Sequence, residues 1–243
     1  MLLSSAVAWF SIAGAQTPIF PAKTIRLVVP AAPGGSTDTL SRVLGRVIQE
    51  QTGVAVVIEN KAGASGSIGV SAVVHSPADG YTVLVSVPDA ITVYPLLKKN
   101  VPYKGSGPAM LSVIARETEM TATSPSSLKN FVDSGQIKGL AITKESRSAR
   151  LPKVPTMAES GYADFVIPAW FGVFAPAGVT ESVADRLNEL VLAAIRSPVF
   201  VKQAASLGLE IDPVSRQAFG QLLTKETLRW KQLIEISNLV LED

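Results

Sequence analysis

Along the first part of the chain, hydrophobic residues alternate between short continuous runs and the spacing of one helical face. Residues 25–29 form an apolar run typical of a buried parallel strand, and residues 54–58 and 81–87 form two more. A helix ended by Gly53 is predicted between the first two runs, with this apolar face: Leu40, Val43, Leu44, Val47 and Ile48. A shorter helix ending near Val74 follows the second run. This alternation predicts a parallel sheet with both faces covered.

The rest of the chain gives weaker strand signals and stronger helical ones. Five elements are predicted in its middle part: helices at 108–115 and 126–134, a strand at 137–143, a short helix ended by Gly161, and a long strand at 165–176. The C-terminal third is predicted to be helical. Thr180 caps one helix, Pro198 opens the next, Gly208 ends it, and a last long helix covers 219–236.

The segment VPAAPGGSTDTL, residues 29–40, joins the first strand to the first helix. Gly34 and Gly35 have no Cβ, so their N–H groups can approach a bound atom closely. Ser36 or Thr37 is the predicted N-cap, and the helix start adds unpaired N–H donors and a partial positive charge. Two interpretations stay open on these residues alone. The segment is an anion-binding loop, or it is a plain turn in which the glycines only supply unusual φ angles.

Composition and charge exclude several classes of function. The chain has 243 residues, 47% hydrophobic and 17% charged, which is typical of a globular protein with one large or two modest domains. Its net charge of +2 is too small and too scattered to indicate a nucleic-acid partner. There is no cysteine and one histidine, His75, so we expect no disulfide, no metal site, no histidine triad and no cofactor.

Residues 1–15 form an apolar run of the length of a signal-peptide core, and Ala13, Gly14 and Ala15 match a cleavage signal before Gln16. This run predicts export to the periplasm. The first cation is Lys23, so the basic opening of a signal peptide is missing, and a buried N-terminal helix is the alternative.

Seven blocks of sequence, in order along the chain, carry a family resemblance. They are PAKTIRLVVPAAPGGSTDTLSR, VVIENKAGASGSIG, SPADGYTVL, VPYKGSGPA, SGQIKGLAIT, LPKVPTMAESGY and WFGVFAPAGV. The chain resembles the periplasmic solute-binding proteins of tripartite tricarboxylate transporters, the group known from Bordetella uptake genes. The resemblance extends from about Pro21 to the C-terminus.

The resemblance implies an α/β fold, namely a two-lobed periplasmic binding protein of the type II, or Venus-flytrap, class with a shortened second lobe. Residues 16–100 and 171–243 are then a discontinuous first lobe, and residues 101–170 are the second. The implied ligand is a small carboxylic acid or an amino acid, and the implied partners are the membrane subunits of a transporter. We expect a monomer without enzymatic activity.

The resemblance also implies where the ligand binds. In the family, the loop that matches residues 33–38 holds a ligand carboxylate largely through backbone N–H groups and ordered water, which favours the anion-binding interpretation. We expect Asp38 to accept from loop N–H groups and so to fix the loop. The implied ligand-binding residues are Ala32, Gly34, Gly35, Ser36, Thr37, Asp38, Gly63, Ala64, Ser65, Ser86 and Tyr103.

Two departures from the family bear on binding. Relatives carry a segment at the Asn100–Val101 junction that this sequence lacks, and this segment includes the second ligand loop, which faces the first across the cleft. Tyr103 lies in the stretch that we consider as its substitute. Asp89 would repel a ligand carboxylate unless it is turned away. The chain therefore either retains carboxylate affinity or is a degenerate member that folds without binding a solute.

A nucleotide-using α/β enzyme is a more distant alternative. Gly63, Gly66 and Gly69 follow the second strand, but their G-x-x-G-x-x-G spacing lacks the close first pair of a dinucleotide fingerprint. Neither glycine loop contains the G-K-S/T of a P-loop, and no residue stands out as a general base. Binding of a nucleotide would distinguish this alternative from the others.

Overall fold

A four-stranded sheet organises the part of the chain that the computed structural model describes, which is residues 20–93, 106–163, 165–167, 170–209 and 211–237. The strands are β1 (Ile25–Val29), β2 (Val56–Asn60), β3 (Thr82–Ser86) and β4 (Gly172–Phe174), in the order β2-β1-β3-β4. The predicted signal peptide and Tyr103 lie outside the described residues.

The parallel prediction is confirmed for the first three strands. β1 pairs in parallel with both β2 and β3, whereas β4 runs antiparallel to β3. β2 begins two residues later than the predicted run at 54–58. The long strand predicted at 165–176 is wrong, since only Gly172–Phe174 joins the sheet. Ile167 N donates instead to Thr143 O at 3.0 Å, so the chain before β4 belongs with a different segment.

The helices follow the predicted pattern closely. They are α1 (Ser36–Thr52), α2 (Ser67–Val74), α3 (Ser106–Ile114), α4 (Pro125–Asp133), α5 (Glu181–Ile195), α6 (Pro198–Ser206) and α7 (Arg216–Ser237). Gly53 ends α1 with φ +71°, and Thr180 Oγ1 accepts from Val183 N, both as predicted. Within the described ranges, no helix is both long and apolar enough to cross a bilayer.

The main core lies between the sheet and helices α1, α5 and α6. Helix α1 approaches the strands closely at Gly45, where a Cβ would lie 3.0 Å from Val56 Cγ1. Ala194 of α5 and Ala204 of α6 are fully buried in the same cluster. Residues after 171 thus complete a core begun before residue 94, while the predicted lobe boundaries themselves stay a prediction.

The opposite face of the sheet is covered by α2 and by aromatic residues near β4. Val28, Leu84 and Val73 are buried together there, with Phe174 packed against them. Phe219 of α7 contacts Phe174 and Trp170, with ring centroids 5.5 Å and 5.3 Å away. Helix α7 is therefore attached to the sheet near its start.

The middle of the chain has a small core of its own. Ile142, Leu151 and Val154 pack against Leu128 and Val132 of α4. The strand predicted at 137–143 is wrong, because this segment makes a single bridge between Ile142 and Thr156 and has no longer partner strand. The short helix predicted before Gly161 is wrong too, since hydrogen-bonded turns take its place.

We predict that Leu44→Ala lowers the free energy of unfolding by about 2–5 kcal/mol, because Leu44 is buried in the main core and its truncation leaves a cavity. Leu228→Ala on α7 is the matched control. Its side chain is 56% exposed, so we expect a change within about 0.5 kcal/mol. Urea unfolding of both variants measures the difference, and an equal loss at Leu228 would contradict the exposure of α7.

Candidate functional site

The loops that follow β1, β2 and β3 meet at one edge of the sheet, the carboxyl edge of its parallel strands. Their contact depends on glycine: a Cβ at Gly66 would lie 2.9 Å from Ala90 Cβ, and one at Gly69 would lie 2.8 Å from Pro30 Cα. Both distances are too short for a real side chain. In open α/β sheets ligands bind outside this edge. The close packing also explains why glycine occupies positions 66 and 69, so no bound nucleotide is needed to explain them.

The loop between β1 and α1 leads into a helix start without a side-chain cap. The N-cap is Gly35, with φ −75° and ψ 171°, so the prediction of Ser36 or Thr37 is wrong. The helix begins at Ser36 because Thr39 N already donates to Gly35 O at 2.9 Å. The N–H groups of Ser36, Thr37 and Asp38 precede the first intrahelical bond, and Gly35 has no side chain to accept from them.

The same loop faces solvent. Ala32, Pro33, Gly34 and Gly35 are exposed, whereas Thr37 and Asp38 are buried. Gly34 has φ +89°, a left-handed conformation that favours glycine. Exposed backbone donors, a helix start and its partial positive charge therefore coincide, which is the arrangement that attracts an anion.

Asp38 holds the loop from beneath, as the sequence predicted. Its carboxylate is nearly buried and accepts from Gly34 N at 2.9 Å, Arg42 Nε at 3.0 Å and Asn60 Nδ2 at 2.9 Å. Burial raises the pKa of the Asp38 carboxyl group, but the hydrogen bonds from Arg42, Gly34 and Asn60 outweigh it and hold the pKa below its usual range. Asp38 is thus a charged group that already accepts three hydrogen bonds within the protein.

Sequence reasoning missed Arg42 and Asn60. The i,i+4 spacing of Asp38 and Arg42 on one helix was an available signal, and so was the position of Asn60 at the end of the second strand. In the segment after that strand, sequence reasoning selected Gly63, Ala64 and Ser65 instead.

The other predicted residues lie at the same edge with different exposure. Gly63 and Ala64 both have positive φ, at +124° and +44°, and they open the 3₁₀ turn Ala64–Gly66, which includes Ser65. Ser86 ends β3 but is fully buried, with Oγ 3.4 Å from Val87 O, so it lies beneath the predicted rim rather than on it. Asp89 begins a π-helical turn, Asp89–Val93, directly after β3.

Two open concavities of the described surface lie away from this edge. One has Lys138 and Lys153 on its wall, and the other lies along the outer side of α7 near Gln221 and Leu228. Among the described residues there is no cluster of three or more His, Asp or Glu side chains that could hold a metal ion. The candidate binding site is therefore the exposed loop between β1 and α1, Ala32–Gly35, which we call the glycine loop.

Comparison with known proteins identifies the family. The profile described as "Tripartite tricarboxylate transporter family receptor" matches residues 40–103 and 96–239. The chain belongs to this family. The two matches meet at residues 96–103, which include the Asn100–Val101 junction where the sequence predicts a missing segment. A receptor fold with a shortened second lobe follows from this membership and from the position of the break.

Protein BugT of Bordetella pertussis is 28% identical to this receptor, over 93% of the chain and 94% of BugT. That alignment runs over 306 positions, more than the 243 residues of the chain, so BugT has residues that this receptor lacks. Among solved structures, periplasmic binding protein BugD superposes with a TM-score of 0.79, at 24% identity, over 90% of this chain and 99% of BugD. MatC from Rhodopseudomonas palustris, solved with bound malate, superposes with a TM-score of 0.78, at 22% identity, over 88% of this chain and all of MatC. These superpositions confirm the predicted fold class.

We predict that Asp38→Asn destabilises the receptor by about 1–3 kcal/mol at neutral pH, because one of the three donors then faces an amide nitrogen. The loss depends on pH. The folded-state pKa of Asp38 is lowered, so its stabilisation is complete above about pH 4 and disappears as pH falls through the lowered value. We therefore expect the difference in free energy of unfolding between wild type and variant to be smaller below pH 4 than at pH 7. Urea unfolding at both pH values measures it.

Asp133→Asn is the matched control for this measurement. Asp133 is exposed and pairs with Lys129, one turn away on α4, at 2.5 Å. Exposed pairs of this kind contribute little, so we expect a change below about 1 kcal/mol. A difference in free energy of unfolding that does not change with pH would contradict stabilisation by the ionised Asp38 carboxylate.

Proposed function

We propose that this receptor binds a small carboxylate at the glycine loop and delivers it to the membrane subunits of a transporter. The observation that carries the proposal is the uncapped start of α1, whose N–H groups stand next to an exposed loop held by Asp38. Malate in the related MatC supports a carboxylate as the class of ligand. The proposed ligand-binding residues are those that the sequence named, with Ser86 in a supporting layer.

The chemistry of the loop suits recognition rather than catalysis. Backbone N–H groups can hold an oxyanion, but they cannot exchange a proton with it, and the buried Asp38 carboxylate is occupied by its own donors. We therefore propose a binding protein without enzymatic activity. The family profile and the periplasmic relative BugD support export to the periplasm, where such a receptor would meet its solute.

A degenerate receptor is the second candidate. The family matches break at residues 96–103, and the exposed loop at Ala32–Gly35 faces solvent in the described part of the chain. With the second ligand loop missing, the remaining N–H donors would hold a carboxylate from one side only. Measured binding decides between the two candidates.

A thermal melt with a panel of acids tests the proposal. At a hundred times the dissociation constant, a ligand stabilises by about 2.7 kcal/mol, which shifts the melting temperature of a chain of this size by about 5–10 °C. We expect this shift with malate or another di- or tricarboxylate and none with ATP or NAD. A cooperative melt that no acid raises would favour the degenerate receptor, and a shift with nucleotide alone would contradict the proposal.

Ser36→Pro tests whether the backbone supplies the recognition. Proline suits the first position of a helix, and Gly35 has the extended conformation that a residue before proline needs, so the fold should tolerate the change. The variant lacks one N–H donor. Loss of a hydrogen bond to a charged ligand costs about 1.5–3 kcal/mol, or about 10- to 100-fold in affinity.

Ser36→Ala is the paired variant, since it removes the hydroxyl group and keeps the N–H. Calorimetric titration with malate should show a smaller loss for it than for Ser36→Pro. The reverse order would mean that the side chain, and not the backbone, contacts the ligand.

A further inference from the structure

The glycine loop has few contacts of its own. Its residues Ala32–Gly35 are exposed, and two adjacent glycines give its backbone more freedom than other residues would. Nevertheless, Gly34 N donates to the Asp38 carboxylate, which lies outside the loop. Side chains outside the loop must therefore set the directions of its N–H groups.

Asn60, the last residue of β2, contacts both ends of the loop. Its Nδ2 donates to Ala31 O at 3.2 Å, just before the loop, and to Asp38 Oδ1 at 2.9 Å, just after it. One side-chain amide thus fixes the distance between the two ends of the loop. Because Asn60 belongs to a strand paired with β1, its backbone is held by the sheet.

Arg42 orients both of these partners. Its Nε donates to Asp38 Oδ2 at 3.0 Å, and its Nη2 donates to Asn60 Oδ1 at 3.2 Å. The planar guanidinium offers donors in a fixed geometry, so the two bonds set the Asp38 carboxylate and the Asn60 amide relative to each other. Arg42 also places a positive charge beside the nearly buried Asp38 carboxylate.

We propose that Asn60 and Arg42 are positioning residues for the ligand loop. They keep Asp38 where it accepts from Gly34 N, and so they hold the exposed N–H groups in the arrangement that receives a carboxylate. This inference rests on the proposed function for its effect on binding. Preorganisation of this kind improves affinity by lowering the cost of ordering the loop.

The test compares Asn60→Ala and Arg42→Ala with Arg46→Ala. Arg46 lies one turn further along α1, is exposed, and forms an ion pair with Glu50 at 3.8 Å. Hydrogen exchange of the Gly34 amide, followed by NMR without ligand, reports the loop directly, and the amide of Leu44 in the same helix is the internal reference. Calorimetry with malate reports the affinity.

We expect faster exchange at Gly34 in Asn60→Ala and Arg42→Ala, with Leu44 still protected and Arg46→Ala unchanged. If the loop then keeps its donor arrangement about a tenth of the time, the dissociation constant for malate rises about tenfold. Arg42→Lys keeps the charge but not the fork, so its Gly34 exchange should lie between wild type and Arg42→Ala. It also serves if an alanine variant does not fold.

Unchanged Gly34 exchange and unchanged malate affinity in Asn60→Ala and Arg42→Lys would overturn the inference. If the wild type binds neither malate nor any other acid of the panel, the proposed function fails instead. The Gly34 amide of the unliganded protein still decides the positioning roles in that case, so the two failures are distinguishable.

Discussion

The carboxylate of Asp38 is the constraint on which the glycine loop and the start of α1 depend. A nearly buried charge needs hydrogen-bond donors, and here the loop, the helix and the neighbouring strand each supply one: Gly34, Arg42 and Asn60. Satisfying this one group therefore ties the loop and the helix that follows it to β2, whose Asn60 lies 22 residues further along the chain. The exposed glycine loop gains its shape from the buried charge, and the helix start beside it remains uncapped.

Much of the first lobe was predictable because each local signal agreed with the next. The apolar run at 25–29, the helical face ending at Gly53 and the turn before Tyr81 all describe elements whose partners lie nearby in sequence. Asp38 was predictable as the support of the loop, whose use as an anion site stays a prediction. The hydrogen bonds that Asn60 donates were not predictable, because they depend on which strand lies beside β1, and local sequence does not report strand order.

The two wrong strand predictions share a physical cause. An apolar run such as 137–143 becomes a strand only if another strand offers it a ladder of hydrogen bonds, and here Thr156 offers a single bridge. The two family matches meet at residues 96–103, which precede this part of the chain. Exposed apolar side chains occur in the middle of the chain and on α7, among them Leu111, Met120, Leu140, Leu228 and Ile236, and others lie on β2, α2 and α6.

The uncapped helix start has a consequence for how such receptors diversify. Every residue type except proline carries the same backbone N–H, so drift at position 36 leaves the donor in place. Under the proposed function, a gene duplicate can therefore change the side chains that surround the solute and keep the backbone donor that holds its carboxylate. Related receptors can then diverge in ligand specificity without any change in the backbone groups that hold the carboxylate.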